Sequence, residues 1–140
     1  MRVLFDPDTL RQGKRGSVTG VVYFEFSPEV QFPVAGWNDF VIIVASWWRA
    51  ALEQISHGQA EAELRFMDGP YWITAVPQGT NLRLLCIEDR RDVGLVYEVV
   101  VQVEDLKREL RTFARDLSVA CKAAGIESAD LDELRCHLPN

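Results

Sequence analysis

Val18 to Ser27 alternates between apolar and polar side chains, with Val22, Phe24 and Phe26 in step and Tyr23 and Glu25 between them. A period of two predicts a strand with one buried face. The period returns from Ala60 to Met67, where Ala60, Ala62, Leu64 and Phe66 alternate with Glu61, Glu63 and Arg65. Three further strands are expected at Tyr71 to Val76, Leu82 to Ile87 and the valine-rich Leu95 to Gln102. Asp68-Gly69-Pro70, Pro77 to Thr80 and Glu88-Asp89-Arg90-Arg91-Asp92 separate them as turns. Links this short join antiparallel neighbours. Arg2 to Phe5 is a candidate short first strand, residues 11–16 read as a glycine-containing basic turn, and residues 28–36, with Pro28, Pro33 and Gly36, read as a loop.

Two stretches change period. From about Asp39 to Ser56 the chain is apolar nearly all round at its start and long for a strand, which predicts a helix buried on more than one side. Asn38 is a natural N-cap, Trp37 a staple onto Ile42, and Gly58 the stop. From about Glu104 to Ala124, Leu106, Leu110, Phe113, Leu117 and Cys121 keep steps of three and four, so a second, amphipathic helix is expected, closed by Gly125. A short last helix is expected from Asp130 to about Cys136. Strands in a run with helices inserted predict an α+β fold: an antiparallel meander sheet of about five or six strands, two long helices packed mainly on one face and a short C-terminal helix. At 140 residues, with no repeat or long linker, residues 1–140 are expected to form a single globular domain.

Charge narrows the function. Asp and Glu number 21 against 15 Lys and Arg, a net charge of −6, which argues against nucleic acid and against an anionic membrane surface as partners. The start meets Asp6 and Asp8 at once and does not read as a signal peptide, and the most apolar stretch, Phe40 to Trp48, is far too short to cross a bilayer. Cys86, Cys121 and Cys136 are odd in number and form no CxxC pair, so free thiols in a reducing cytoplasm are expected.

Catalytic equipment is sparse. His57 stands at a helix end and His137 near the C-terminus, while Cys86 and Cys121 fall on apolar faces. Glu61 and Glu63 share the solvent face of a strand. No nucleophile-elbow, phosphate-loop, dinucleotide or zinc-helix motif is present, and Cys86, Cys121, Cys136 and His137 lack paired ligand spacing. The reading is therefore no enzyme, no catalytic residue, no metal and no cofactor.

If each hairpin and helix reverses direction along one sheet, the turns at Glu29, Asp68 and Glu88-Asp89-Asp92 gather at one pole, together with the tail acids Glu127, Asp130, Asp132 and Glu133. Arg11, Lys14, Arg15 and His57 gather at the other. Solvated turns account for such acids; so does docking of a basic partner, which complementary charge would speed and select. Trp47 and Trp48 lie about 100° apart around a helix, so one enters the core and the other does not. Glu29, Asp68, Glu88, Asp89 and Asp92, with Trp48 and Trp72 as aromatic anchors, are the candidate partner-binding residues.

Phe32-Pro33, Gly36-Trp37-Asn38-Asp39-Phe40, Ser46-Trp47-Trp48 and Phe66-Met67-Asp68-Gly69-Pro70-Tyr71 together resemble a pattern in small acidic immunity proteins of bacterial polymorphic-toxin and contact-dependent inhibition systems. The resemblance spans roughly residues 32–72. It implies a non-catalytic protein that binds and neutralises a cognate toxin domain in the cytoplasm, and motif residues that serve as scaffold rather than contact surface. The other readings are a small adaptor or self-associating interaction domain, and a small-molecule-binding protein or enzyme with a deep tryptophan-lined pocket.

Overall fold

The computed structural model describes residues 1–137, which form eight strands in two antiparallel sheets and three helices. In the first sheet β2 (Val18–Ser27) is the spine. β1 (Arg2–Gln12) pairs along one edge, while β3 (Val30–Phe32) and β4 (Asn38–Asp39) share the other. The second sheet is the expected meander of β5 (Ala62–Arg65), β6 (Tyr71–Gln78), β7 (Asn81–Asp89) and β8 (Val93–Gln102), in that order. The helices are α1 (Val41–Ser56), α2 (Val103–Ala123) and α3 (Ala129–Cys136).

The class is α+β as expected, but one sheet becomes two. The cause lies in residues 28–39, read above as loop and helix cap. The chain folds β3 back onto β2, with Phe24 opposite Phe32, and β4 then pairs with Gly20 and Val21. These two short strands fill the edge of β2 that the meander would have joined. β1 is also longer than the four residues expected. It tolerates Asp6, Pro7 and Asp8 because it is an outer strand with a register break between Asp6 and Arg11.

Both sheets and all three helices contribute to one buried cluster. Val22 and Phe24 of β2, Leu64 of β5, Ile73 of β6 and Leu82 and Leu84 of β7 are fully buried, each on the inward face that alternation assigns it. Val41, Val44 and Trp48 of α1 and Leu106 and Leu117 of α2 close the core. Trp48 stands where these layers meet. Its ring centroid lies 5.0 Å from Phe24, 5.3 Å from Phe66 and 5.7 Å from Phe113, and its indole Nε1 donates to the Arg65 carbonyl at 2.8 Å. α3 is capped by Ser128, whose hydroxyl accepts from the Leu131 amide at 3.0 Å, and it buries Leu131 and Leu134. Among the described residues no helix is long and apolar enough to cross a membrane.

The cysteines divide by burial. Cys86 on β7 and Cys121 on α2 are buried, whereas Cys136 is exposed. Burial pushes the Cys86 thiol up to about 12 and raises Cys121 as well, against the pull of Arg135. The thiolate is the reactive form. A disulfide reagent at pH 8 is therefore expected to label Cys136 alone in the folded protein and all three thiols after denaturation. Fast labelling of Cys86 under native conditions would contradict this packing.

Candidate partner-binding surface

The meander brings the acidic turns of the second sheet together. Tyr71 pairs with Glu88, and the Asp89 amide donates to the Pro70 carbonyl at 2.9 Å, so the turn containing Asp68 lies against the turn from Glu88 to Asp92. Glu29, in the turn between β2 and β3 of the first sheet, faces the same end. Glu29 and Glu88 line one groove of about 390 Å³, walled by Pro33, Val34, Tyr71, Val96 and Tyr97. The stacked ends of the two sheets place it there, with Phe26 of β2 and Tyr97 of β8 5.2 Å apart between ring centroids. Glu29, Asp68, Asp89 and Asp92 are exposed and Glu88 is half-buried. Arg90 offsets part of this charge, since its Nε lies 2.6 Å from Glu88 and its Nη2 donates to the Tyr71 hydroxyl at 2.7 Å.

The tail acids do not join this end. Glu127 and Asp130 line a different groove together with Arg15, Gly16 and Ser17, the basic turn expected at the opposite pole. Glu127 and Asp130, expected at the acidic pole, stand instead beside the basic turn. The acidic end is therefore built from the three strand turns alone.

Trp72 continues this end onto the outer face of the second sheet. The cross-strand register aligns Arg65, Trp72, Ile87 and Leu95 in one row across all four strands. Trp72 is half-buried, with the Arg65 guanidinium 4.6 Å from its ring centroid, and Leu95 is 54% exposed. Such a cation over an indole face is attracted by the ring's electron density. Glu63 on β5 contacts Arg65 at 2.6 Å, while Glu61 lies just before the strand. The row thus presents an apolar strip directly beside the acidic turns.

Trp48 is corrected. It has no exposed surface, so it is a core residue in this fold and not a partner contact. The expected split between neighbouring tryptophans holds the other way round, with Trp47 42% exposed.

The residue that sequence reasoning undervalued is Asp39, the one buried charged residue among those described. Its Oδ2 accepts from the Trp37 indole at 2.9 Å, and its Oδ1 accepts from the amides of Phe40 at 2.7 Å and Asp68 at 3.1 Å. Burial raises its pKa, and these donors oppose the shift. The helix therefore begins at Val41 with no side-chain cap from Asn38, which sits in β4 instead. Trp37, expected to staple onto Ile42, packs edge-on against Tyr71 at 5.2 Å and Phe66 at 6.4 Å. Gly69 passes beneath it at φ +102°, where a Cβ would come within 2.8 Å of the indole. The segments 36–40 and 66–71 thus lock into one scaffold that holds the Asp68 turn. A buried aspartate between two motifs was a visible signal only in part, because Asp39 reads equally as a first-turn acid of a helix.

Among the described residues no three His, Cys, Asp or Glu side chains come together to hold a metal ion. The chain matches no protein-family model, no curated protein and no solved structure.

Proposed function

We propose that the chain is a non-catalytic immunity protein that binds a cognate bacterial toxin through the acidic end of its sheets. The observation that carries this reading is the groove between Glu29 and Glu88, two carboxylates from different sheets set 59 residues apart in sequence and brought to one apolar-walled cleft. Carboxylates flanking an aromatic and aliphatic wall suit an Arg or Lys side chain, which needs a charge partner for its head and an apolar surface for its stem. The exposed turns at Asp68, Asp89 and Asp92 widen the negative field that would steer a basic surface toward that cleft. Trp72 and Leu95 supply apolar area beside it, and buried aromatic anchors commonly dominate such interfaces. The resemblance of residues 32–72 to immunity proteins supplies the class of partner, and the interlocked packing of those segments suits the scaffold role it implies.

Co-expression with the product of the neighbouring reading frame, followed by pull-down and growth rescue, tests this. The wild-type chain is expected to rescue growth and to bind with an affinity that falls as salt rises. Glu29→Lys with Glu88→Lys is expected to weaken binding at least 10-fold, about 1.4 kcal/mol, and to flatten the salt dependence. Circular dichroism should show an unchanged fold, since Glu29 is exposed and Glu88 half-buried. Absence of a complex and of rescue would remove the immunity reading. A complex with unchanged affinity in the double variant would remove the groove.

A further inference from the structure

Four of the outer strands are protected. β1 carries Asp6, Pro7 and Asp8 and a register break, and the amide of its Val3 donates to Glu109 of α2 at 2.9 Å. β3 is three residues long and β4 two. At β5, Trp48 of α1 donates to the Arg65 carbonyl. Charge, proline, shortness and covering groups are the devices that keep sheet edges from pairing with other chains.

β8 differs. It is the outer strand of the second sheet, hydrogen-bonded to β7 alone, and ten residues long. Its bulge at Val96 lies at one end, so Tyr97 to Gln102 pairs with β7 without interruption. That stretch has no proline and no lysine, and its one charge, Glu98, is bound by Arg83 of the same chain. Four of the eight large apolar residues that remain exposed among those described lie on this strand: Val93, Leu95, Val96 and Val100.

We infer that β8 pairs antiparallel with β8 of a second copy, joining two meanders into one eight-stranded sheet. Charge selects this occupant. The β8 edge is locally neutral, with Glu98 held by Arg83 of its own chain, so two copies meet there without opposing like charges. A basic partner finds nothing on that edge to recognise, whereas the acidic turns attract it. Self-pairing is also consistent in register. A two-fold axis at Val99 keeps like faces together, placing Val99 against its own mate and Tyr97 opposite Val101 on the inner side. Glu98 then falls opposite Val100 rather than opposite the second Glu98, which avoids two carboxylates face to face. The outer faces bearing Trp72 remain open in such a dimer, while Tyr97, which also walls the Glu29–Glu88 groove, stands at the boundary between groove and seam.

Sedimentation equilibrium of the full chain tests this. The 15.9-kDa chain is expected to sediment as a dimer at micromolar concentration. Val100→Lys, at an exposed position in the pairing stretch, is expected to weaken the dimer about 100-fold while leaving far-UV circular dichroism unchanged. Val119→Lys, equally exposed but on α2, should leave it intact. A wild-type chain that stays monomeric at 100 μM would overturn the proposal. So would a dimer that survives Val100→Lys with the fold intact, one that Val119→Lys disrupts equally, or open-ended assembly. If Val100→Lys fails to fold, hydrogen exchange on the wild type decides. Amides of β8 that point away from β7 should gain protection as concentration rises, and exchange independent of concentration would exclude the pairing.

Discussion

Trp48→Ala is expected to lower the unfolding free energy by about 3–5 kcal/mol, measured by urea denaturation. The indole has no exposed surface and touches rings from β2, α2 and the segment after β5. Removing it leaves a cavity where three layers join, and the surrounding rings, fixed by their own elements, collapse into it only partly. It also frees the Arg65 carbonyl that the indole nitrogen satisfies. Trp47→Ala should cost far less, within about 1 kcal/mol, because that side chain is largely on the surface. Equal losses for the two variants would show that α1 is rotated from the position described.

Asp39→Ala is expected to cost a comparable amount, roughly 3–5 kcal/mol: three donors lose their acceptor, and the burial cost of the carboxylate offsets part of the about 1.5–3 kcal/mol that each hydrogen bond to a charged group contributes. The loss should be local in origin: Trp37, the start of α1 and the Asp68 turn all rest on this carboxylate. Its titration gives a second signature. Burial holds the folded pKa above the unfolded value of 3.8. The stability this group adds is therefore complete below 3.8 and is lost as pH rises through the folded pKa. Asp39→Asn removes the titration. The wild-type advantage over Asp39→Asn should thus be larger at pH 4.5 than at pH 7 in paired denaturation curves. A margin that narrows on acidification would mean that the hydrogen bonds outweigh burial and hold the pKa below 3.8.

Asp39 links two segments physically. Gly36 to Phe40 and Phe66 to Tyr71 are far apart in sequence, yet one buried carboxylate and one glycine beneath an indole join them. Residues held in this way resist change whatever the partner is. The exposed acids of the turns carry no such constraint.

Much of the fold was legible in the chain. Period-two alternation identified β2 and β5, turn signals and valine content identified β6 to β8 within a few residues, and period 3.6 identified α2. The pairing of Asp68's turn with Glu88's followed from short hairpin links. Residues 28–39 were not legible. Two- and three-residue strands have no period to detect, and Asn38 and Asp39 suit a helix start as well as a strand. Nor was the placement of Glu127 and Asp130 legible, since it depends on how the last helices cross the sheets.

The amino-acid sequence alone determined the α+β class, the meander, the amphipathic second helix and the acidic turns, because each depends on neighbours within a few positions. Only the tertiary structure decided that there are two sheets, that Trp48 rather than Trp47 is buried, that Glu29 meets Glu88 across a groove and that β8 ends the sheet uncovered. Each of these depends on which distant strands compete for one edge, and that competition is settled by packing rather than by local preference.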